Sequence, residues 1–323
     1  MPESRPQISV LMAVWNAHRY LGRCLRSMAR QTVSDYEFII VDDGSTDGSR
    51  RLLERWARKD RRIRLIAREN RGLTRSLNEA LAIARGDYIA RMDADDISLP
   101  RRFELQIAYL ARHPECVAVG GEVLLIDPEG WPIAPRGHVQ PHDEISRKLL
   151  QGNGGAMSHP AIMVRASVLK AIGGYDERFA VAQDFDLFLR LAEVGHLVNL
   201  PDVLLLWRQS KQSVNQTRHD QWNEVKRLAL QNAMERRGIH LDIQAILAAD
   251  QRPSQTPRLA WGRAALNCGH PWTALKNGCL SLLSENSGRS ARVLIQDSVS
   301  HLYWREFRQK LGLRLGYHSS RNG

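Results

Sequence analysis

Four short apolar runs in the first 92 residues, each followed by chain with helical periodicity, constrain the fold more than any other feature. Ile8 to Val14 (ISVLMAV), Tyr36 to Val41 (YEFIIV), Ile63 to Ala67 and Tyr88 to Met92 lack the polar alternation of a half-solvated strand. The first two predict buried strands, and the others a third and a fourth strand. Between them, Tyr20, Leu21, Cys24, Leu25 and Met28 recur at helical spacing. So do Leu52, Leu53 and Trp56 within Ser49 to Lys59, and Leu73, Leu77, Ala80, Leu81 and Ala84 in the third intervening stretch. Strand–helix units repeated in this way imply an α/β fold: right-handed crossovers, a mixed, mostly parallel, Rossmann-like sheet, and helices on both of its faces.

Chemistry in such sheets gathers at the carboxyl ends of strands. That rule selects the loops after Val14, Val41 and Met92. The third reads Asp93-Ala94-Asp95-Asp96. Carboxylates at i and i+2 face one side of an extended chain. Hard oxygen ligands suit Mg²⁺ or Mn²⁺, whose coordination is completed by substrate phosphates and water. The loop therefore reads as a divalent-metal site shared with a diphosphate, or as an acidic turn of capping aspartates before Pro100. The second loop, Asp42-Asp43-Gly44-Ser45-Thr46-Asp47, can accept hydrogen bonds from a nucleobase or ribose. Asp47 or Ser45 can also cap the following helix, and both roles fit in one loop.

The middle of the chain is less regular. Val117 to Ile126 reads as strand, Asp127 to Pro141 as a proline- and glycine-rich irregular loop or hairpin, and Ile162 to Leu169 as mixed. Gln183 to Val194 is a strong helix pattern, and Val198 to Trp207 reads as a last strand pair. Helical patterns dominate after about Ser213, with a linker-like composition from Asp250 to Pro257. These features divide the chain into a catalytic domain over 1–214 and a basic α-helical appendage over 215–323.

No Gly-x-Gly-x-x-Gly follows the first strand, and neither a Gly-Lys-Ser/Thr phosphate loop nor a Gly-x-Ser-x-Gly elbow is present. A sugar nucleotidyltransferase would want a glycine-rich basic loop after the first strand, where Trp15-Asn16-Ala17-His18 stands. No apolar run approaches the ~18 residues of a spanning helix, and the polar start lacks a signal-peptide layout. Four scattered cysteines without a Cys-x-x-Cys pair fit a reducing cytosol.

The pieces, in their order, resemble a family 2 glycosyltransferase of the GT-A fold. They are Val10 to Asn16 with Tyr20-Leu21, Ile40 to Asp47, Glu69 to Leu73 with Leu77-Asn78, Gly86 to Ala90 and Met92 to Asp96. Ser158-His159-Pro160, Gly173 to Asp176 and Gln183 to Leu187 with Arg190 complete the set, which spans roughly residues 7–213. The resemblance implies inverting transfer from a nucleoside-diphosphate sugar, UDP-sugar favoured, to a saccharide or lipid-linked hydroxyl acceptor. It further implies a divalent Mg or Mn cofactor and a role in cell-surface polysaccharide or lipopolysaccharide biosynthesis. The absence of a Gln-x-x-Arg-Trp run argues against a processive synthase.

By position, the resemblance puts Ala13, Val14, Asn16, Asp42 and Asp43 at base and ribose, and Asn70, Arg71, Gly72 and Arg75 along the nucleotide. Asp93 and Ala94 fall at the ribose or donor sugar, Asp95 at the metal, and Asp184 at the general base. The start of an apolar helix would favour ionised Asp184 and modestly lower its pKa; the plainer alternative is a helix cap. Gln183 stands where the family often has Glu. Trp207-Arg208 matches the aromatic–Arg pair after the last strand, but no metal-binding histidine follows, and Lys211 is the cation placed to offset diphosphate charge. His159 reads as an acceptor-pocket residue or as a satisfied structural histidine.

The net charge is +11, and residues 252–323 carry eleven Lys/Arg against three acids. The basic residues are not interleaved with a nucleic-acid motif, so no nucleic-acid partner is expected. A basic tail with an apolar stripe (Ile295, Val299, Leu302, Tyr303, Phe307, Leu311) and Arg292, Arg305, Arg308 and Arg314 suits an anionic membrane surface. It suits equally a solvated helix packed on its neighbours. The expected location is cytoplasmic, peripheral at the inner face of the membrane.

Overall fold

A computed structural model of the chain describes residues 5–137, 140–209, 219–248, 257–284 and 288–310. The apolar runs form β1 (Ile8–Val14), β2 (Tyr36–Asp43), β3 (Ile63–Arg68) and β4 (Tyr88–Arg91), interleaved with α1 (His18–Ala29), α2 (Ser49–Ala57) and α3 (Leu73–Ile83). These strands pair in parallel in the order β3-β2-β1-β4. Alternate residues feed two cores. Val10, Met12, Phe38 and Ile40 pack with Leu21 and Leu25 of α1 and Leu53 of α2. Leu11, Ile39 and Val41 pack with Leu77, Ala80 and Leu81 of α3. With helices on both faces, β1 and β2 are buried almost throughout, which is why their runs carry no alternation, whereas β3 at the sheet edge is half-buried and carries Arg64 and Arg68.

The chain continues as β5 (Ile97–Ser98), α4 (Arg102–Arg112), β6 (Cys116–Ile126), β7 (Pro132–Arg136), α5 (His142–Leu150), β8 (Met163–Arg165), α6 (Ala166–Ala171), α7 (Gln183–Val194) and β9 (His196–Arg208). The sheet extends through β4-β8-β6-β9-β5, with β7 on β6. β4–β8, β6–β8 and β5–β9 are antiparallel, so the sheet is mixed. The stretch after Asp127, expected as an irregular loop or hairpin, forms the hairpin arm β7 on β6, and the expected last strand pair is the single strand β9. α4 has no clean apolar period because its inward stripe is Arg102, Phe103, Gln106 and Leu110. Buried Arg102 donates to the Arg91 and Ile162 carbonyls, and Gln106 to those of Val119 and Ala161. The polar side chains there satisfy backbone groups that would otherwise be orphaned.

The compact units divide elsewhere than near residue 215. The described residues within Met1–Leu125 and Pro135–Gln251 form one unit; those within Ile126–Ala134 and Arg252–Gly323 form a second. Two further helices, α8 (His219–Arg237) and α9 (Ile243–Ala248), belong to the first. Ala229, Leu230 and Ala233 of α8 join Phe185 and Leu189 of α7 in one core, and Glu193 pairs with Arg236 and Arg237. The polar-to-helical change in sequence therefore marks a change of element type, not the edge of a core.

In the second unit, α10 (Pro257–Asn267), α11 (Pro271–Ser284) and α12 (Gly288–Lys310) pack together around Leu259, Ala265, Ala274, Ala291 and Leu294. Gly262 and Gly278 let α12 approach: a Cβ there would stand 2.5 Å from Leu294 and 2.8 Å from Ile295. The buried face of α12 is Ala291, Leu294 and Ser298, with Val299 exposed, so the expected apolar stripe is only partly the packed one. The side chains of Tyr303, Arg305, Phe307 and Arg308, and residues Leu311 and Arg314, lie outside the described residues. Buried Asp127 is held by Lys276 and accepts from Asn277 Nδ2 at 3.3 Å; Glu129 pairs with Lys276 and Arg258. No helix among the described residues is long and apolar enough to cross a membrane.

Candidate active site

The ends of β2, β1 and β4 are neighbours, and Val14 stands beside Asp42 in register. The loops beyond them are stitched together by short polar side chains. Asn16 Oδ1 accepts from the Thr46 N–H at 2.8 Å, and its own N–H donates to Ser45 Oγ at 3.1 Å. The Ala17 N–H donates to Ser49 Oγ at 3.0 Å, and the His18 N–H to Asp47 at 2.9 Å. Asn16 holds φ +50° to make this clasp. Trp15 beside it is 62% exposed.

Asp42 and Asp43 are both engaged by the protein. Asp42 is fully buried and accepts from Arg50 Nε at 2.7 Å and from the Ser45 N–H. Asp43 pairs with Arg68 and accepts the Arg71 and Gly72 N–H groups at 2.8 and 2.9 Å; its carbonyl takes Asn70 Nδ2 at 2.9 Å. The carboxylate thus fixes the Asn70–Gly72 turn against β2. Gly44, at φ +79°, permits the approach: a Cβ would lie 2.7 Å from the Asn70 nitrogen. Gly44, Ser45, Arg50, Arg68, Glu69 and Asn70 line an open groove of about 470 Å³. Arg75 points to Glu177 on the exposed side of α3.

After β4 the chain turns instead of staying extended, with the Asp96 N–H reaching the Asp93 carbonyl at 3.4 Å. The turn gathers oxygens of Asp93, Asp95 and Asp96 within 4.8 Å of one another. Ala94 between them is buried. Burial, then the charge of Asp93, pushes Asp95 up to about 6. Burial and then the Asp95 and Asp93 charges also raise Asp96 well above the ordinary aspartate value. Asp96 Oδ2 is buried without a hydrogen-bond partner. Three hard oxygen donors that repel one another, one of them unpartnered, fit a divalent cation.

Two residues complete this loop. Arg208, at the end of β9, donates its N–H to Asp96 Oδ1 at 2.8 Å and its Nε to the Asp95 carbonyl at 2.9 Å, and its guanidinium lies over Tyr20. Arg91 ends β4, is 3% exposed and pairs with Asp93. Burial opposes its charge, yet Asp93 outweighs that and raises its pKa. The sequence reading gave Arg91 no role and took Asp96 only as a member of the acidic loop. The available signal was an arginine inside an apolar strand, YIARM, where a charge needs a partner.

Asp184 lies in the first turn of α7, after Ala182 at φ +52°. Ala182 and Asn16 are the non-glycine residues with positive φ among those described, and both flank this site. The expected lowering of the Asp184 pKa is corrected. Burial raises it, the Phe185 N–H and Arg91 oppose the rise, and Asp93 adds to it. Desolvation outweighs the helix dipole. Asp186, two residues on, is spent on Arg190, whose Nη1 also holds the Ile172 and Gly174 carbonyls. Among the described residues Asp184 has no ion pair. Gln183 is buried beside it. Arg136, missed in the sequence, stacks over Trp207 and feels the Asp184 charge.

His159 is 5% exposed, shares a hydrogen bond with Tyr175 Oη at 2.8 Å, and faces Phe188. Burial, then Arg91, drives its pKa well down, so it is neutral and sits as a satisfied structural histidine. Lys211 lies outside the described residues.

Residues 9–173 match the profile of glycosyl transferase family 2. Over 222 residues the chain is 34% identical to the amylovoran biosynthesis glycosyltransferase AmsE of Erwinia amylovora, covering 68% of this chain and 81% of that protein. The structure of S. aureus TarS 1–349 in complex with UDP-GlcNAc aligns at TM-score 0.56 and 16% identity, over 96% of this chain and 93% of that one. The Pyrobaculum calidifontis mannosyltransferase PcManGT, in complex with GDP-Man and Mn²⁺, aligns at TM-score 0.52 and 19% identity, over 97% and 85%.

Proposed function

Because the chain belongs to glycosyl transferase family 2, we propose that it moves a sugar from a nucleoside-diphosphate donor to a hydroxyl acceptor, with inversion at the anomeric carbon and Asp184 as base. It is a glycosyltransferase, and its fold is GT-A. The observation that carries the reading is the contrast on α7: Asp186 is committed to Arg190, whereas Asp184 has no ion pair among the described residues and shares the field of Arg91 and Asp93.

In this reading the acceptor oxygen attacks the anomeric carbon from the face opposite the diphosphate. Its proton passes to Asp184, the new carbon–oxygen bond forms, and the bond to the diphosphate oxygen breaks. A positioned base contributes about 10²–10⁴-fold. The raised pKa of Asp184 makes it a better proton acceptor than an ordinary aspartate once ionised. Asp93, Asp95 and Asp96 would hold a Mg²⁺ or Mn²⁺ ion, which supplies neutralising charge for the leaving diphosphate. Arg208 steadies those carboxylates, and Arg91 pairs with Asp93.

The donor lies, in this reading, along Ala13 to Asn16, the Asp43-fixed turn at Asn70 to Gly72, and Ala94. A UDP-sugar is favoured. The TarS and PcManGT complexes, with UDP-GlcNAc and GDP-Man, support a nucleotide sugar, and AmsE supports an acceptor in polysaccharide assembly, saccharide or lipid-linked. Such work belongs on the cytoplasmic side of a membrane.

The test is a thermal-shift panel of UDP-, GDP- and dTDP-sugars with Mn²⁺, followed by transfer assays on Asp184→Asn. Stabilisation by one nucleotide class, with transfer lost but donor binding kept in the variant, is expected. A variant that transfers at the wild-type rate removes Asp184 as base, and pyrophosphate release from a sugar-1-phosphate and a nucleoside triphosphate would overturn the reaction class.

A further inference from the structure

α1 carries Arg19, Arg23, Arg26 and, just past its end, Arg30, at the spacing i, i+4, i+7, i+11 that forms one stripe on a helix. All four are exposed, and none has an ion pair among the described residues. Several arginines elsewhere in this unit have an acid beside them: Arg101 has Glu104, Arg147 has Glu144, Arg178 has Asp176 and Arg227 has Glu224. α1 contains no acid at all. Like charges four residues apart destabilise a helix, and cations near its N-terminus oppose the dipole. The row is therefore an electrostatic cost in the free protein, which the dipole offsets at Arg26 in the last turn.

The lower three arginines do more than face solvent. Arg23, Arg26 and Arg30 line a groove of about 270 Å³ between α1 and β5, with Ser27, Ser98 and Pro100. The floor is fixed. Buried Ser27 Oγ accepts the Ser98 N–H at 3.0 Å and donates to the Cys24 carbonyl at 2.7 Å. Gln31 Nε2 donates to Ser98 Oγ at 3.1 Å and to the Leu99 carbonyl at 2.9 Å. The same helix touches the carboxylate turn, where Cys24 Sγ reaches the Asp93 carbonyl at 3.3 Å. Three arginines lining one groove, above a hydrogen-bonded Ser27–Ser98–Gln31 layer, suit the multidentate binding that arginine gives to phosphate.

We propose that the Arg23–Arg26–Arg30 groove between α1 and β5 binds a phosphate group outside the donor site, carried by a lipid headgroup or by a soluble phosphate ligand. Arg19 continues the stripe toward the active-site end of α1 and extends the attraction beyond the groove. Binding of this kind weakens as salt rises, because the charges are exposed. The proposal needs neither the metal nor the sugar donor, so its failure leaves the glycosyl-transfer reading untouched.

The experiment uses the full chain in EDTA, without donor, comparing wild type with Arg23→Gln/Arg26→Gln/Arg30→Gln. One arm is flotation with phosphatidylcholine vesicles with and without phosphatidic acid; the other is calorimetric titration of inorganic pyrophosphate. At least tenfold weaker binding by the variant is expected in one arm or both. A loss with vesicles identifies a lipid-borne phosphate, and a loss with pyrophosphate alone identifies a soluble one. The three side chains are exposed, and unchanged melting and donor affinity in the variant show that the fold and donor site are intact. Wild type and variant binding alike in both arms would overturn the proposal.

Discussion

The backbone N–H of Arg208 donates to Asp96 Oδ1 at 2.8 Å, joining residues 112 positions apart. This bond and the Arg208 Nε contact to the Asp95 carbonyl make the end of β9 a brace for the carboxylate turn after β4. Arg208→Ala keeps the backbone bond but removes the side-chain contact and the stack on Tyr20. Residues that orient metal ligands typically contribute about 10–100-fold to affinity. A loss of that size in calorimetric Mn²⁺ titration is expected, and an unchanged affinity would detach the brace from the metal.

The three carboxylates should make stability depend on metal and on pH together. Asp95 in the folded chain sits near 6, above its unfolded value. Without metal, its charge therefore disfavours the fold above that pH, and the loss is relieved as pH falls through 6. Bound cation reverses the balance, and at a hundredfold excess over Kd it adds about 2.7 kcal/mol. The Mn²⁺-induced rise in Tm should be large at pH 7.5, shrink by pH 5, and be mostly lost in Asp95→Asn. A Tm rise independent of pH would place the ion elsewhere.

Asp184→Asn should trade function for stability. Transfer is expected to fall by about 10²–10⁴-fold. Because burial raises the folded pKa of Asp184, the ionised group weakens the fold at neutral pH and ceases to do so as pH drops through its folded value. The variant should therefore melt above wild type at pH 7.5 and lose that advantage in acid. The acid limb of the wild-type rate profile should lie above the ordinary aspartate range. A lower melting point for the variant at neutral pH would contradict the burial argument.

Asp43→Ala should act through the loop it holds. Its removal takes the acceptor from the Arg71 and Gly72 N–H groups and one partner from Arg68, which keeps Glu79. A hydrogen bond typically contributes about 0.5–1.5 kcal/mol net, and about 1.5–3 to a charged group. Denaturant unfolding should register a loss of that order, with weaker donor binding and Mn²⁺ affinity unchanged. Equal weakening of metal and donor would mean that Asp43 also supports the carboxylate turn.

The parallel half of the fold could be read from sequence because β1 and β2 are buried on both faces and their runs are nearly continuous. α4 could not, since Arg102 and Gln106 occupy its inward stripe and serve backbone carbonyls brought by residues 91, 119, 161 and 162. At the site, the Asp93–Asp95 pair was visible as spacing. The third carboxylate required the turn that brings Asp96 back, and Arg91 required knowing that its strand end is closed by Asp93. The sign of the Asp184 shift depended on how deeply α7 is packed, a tertiary quantity that one helix pattern does not contain. Likewise, α8 reads as the start of an appendage by composition, yet Ala229, Leu230 and Ala233 complete a core begun by α7.

The clasp around Asp127 sets an order on synthesis. Asp127 and Lys276 are separated by 149 residues. At roughly 5–20 residues per second, the ribosome takes on the order of 7 to 30 s to deliver the ammonium after the carboxylate. During that interval the tip between β6 and β7 must stay hydrated and cannot adopt its buried state. The second unit is thus the last part of the molecule to close, and a chain interrupted before α11 would leave its central acid facing water.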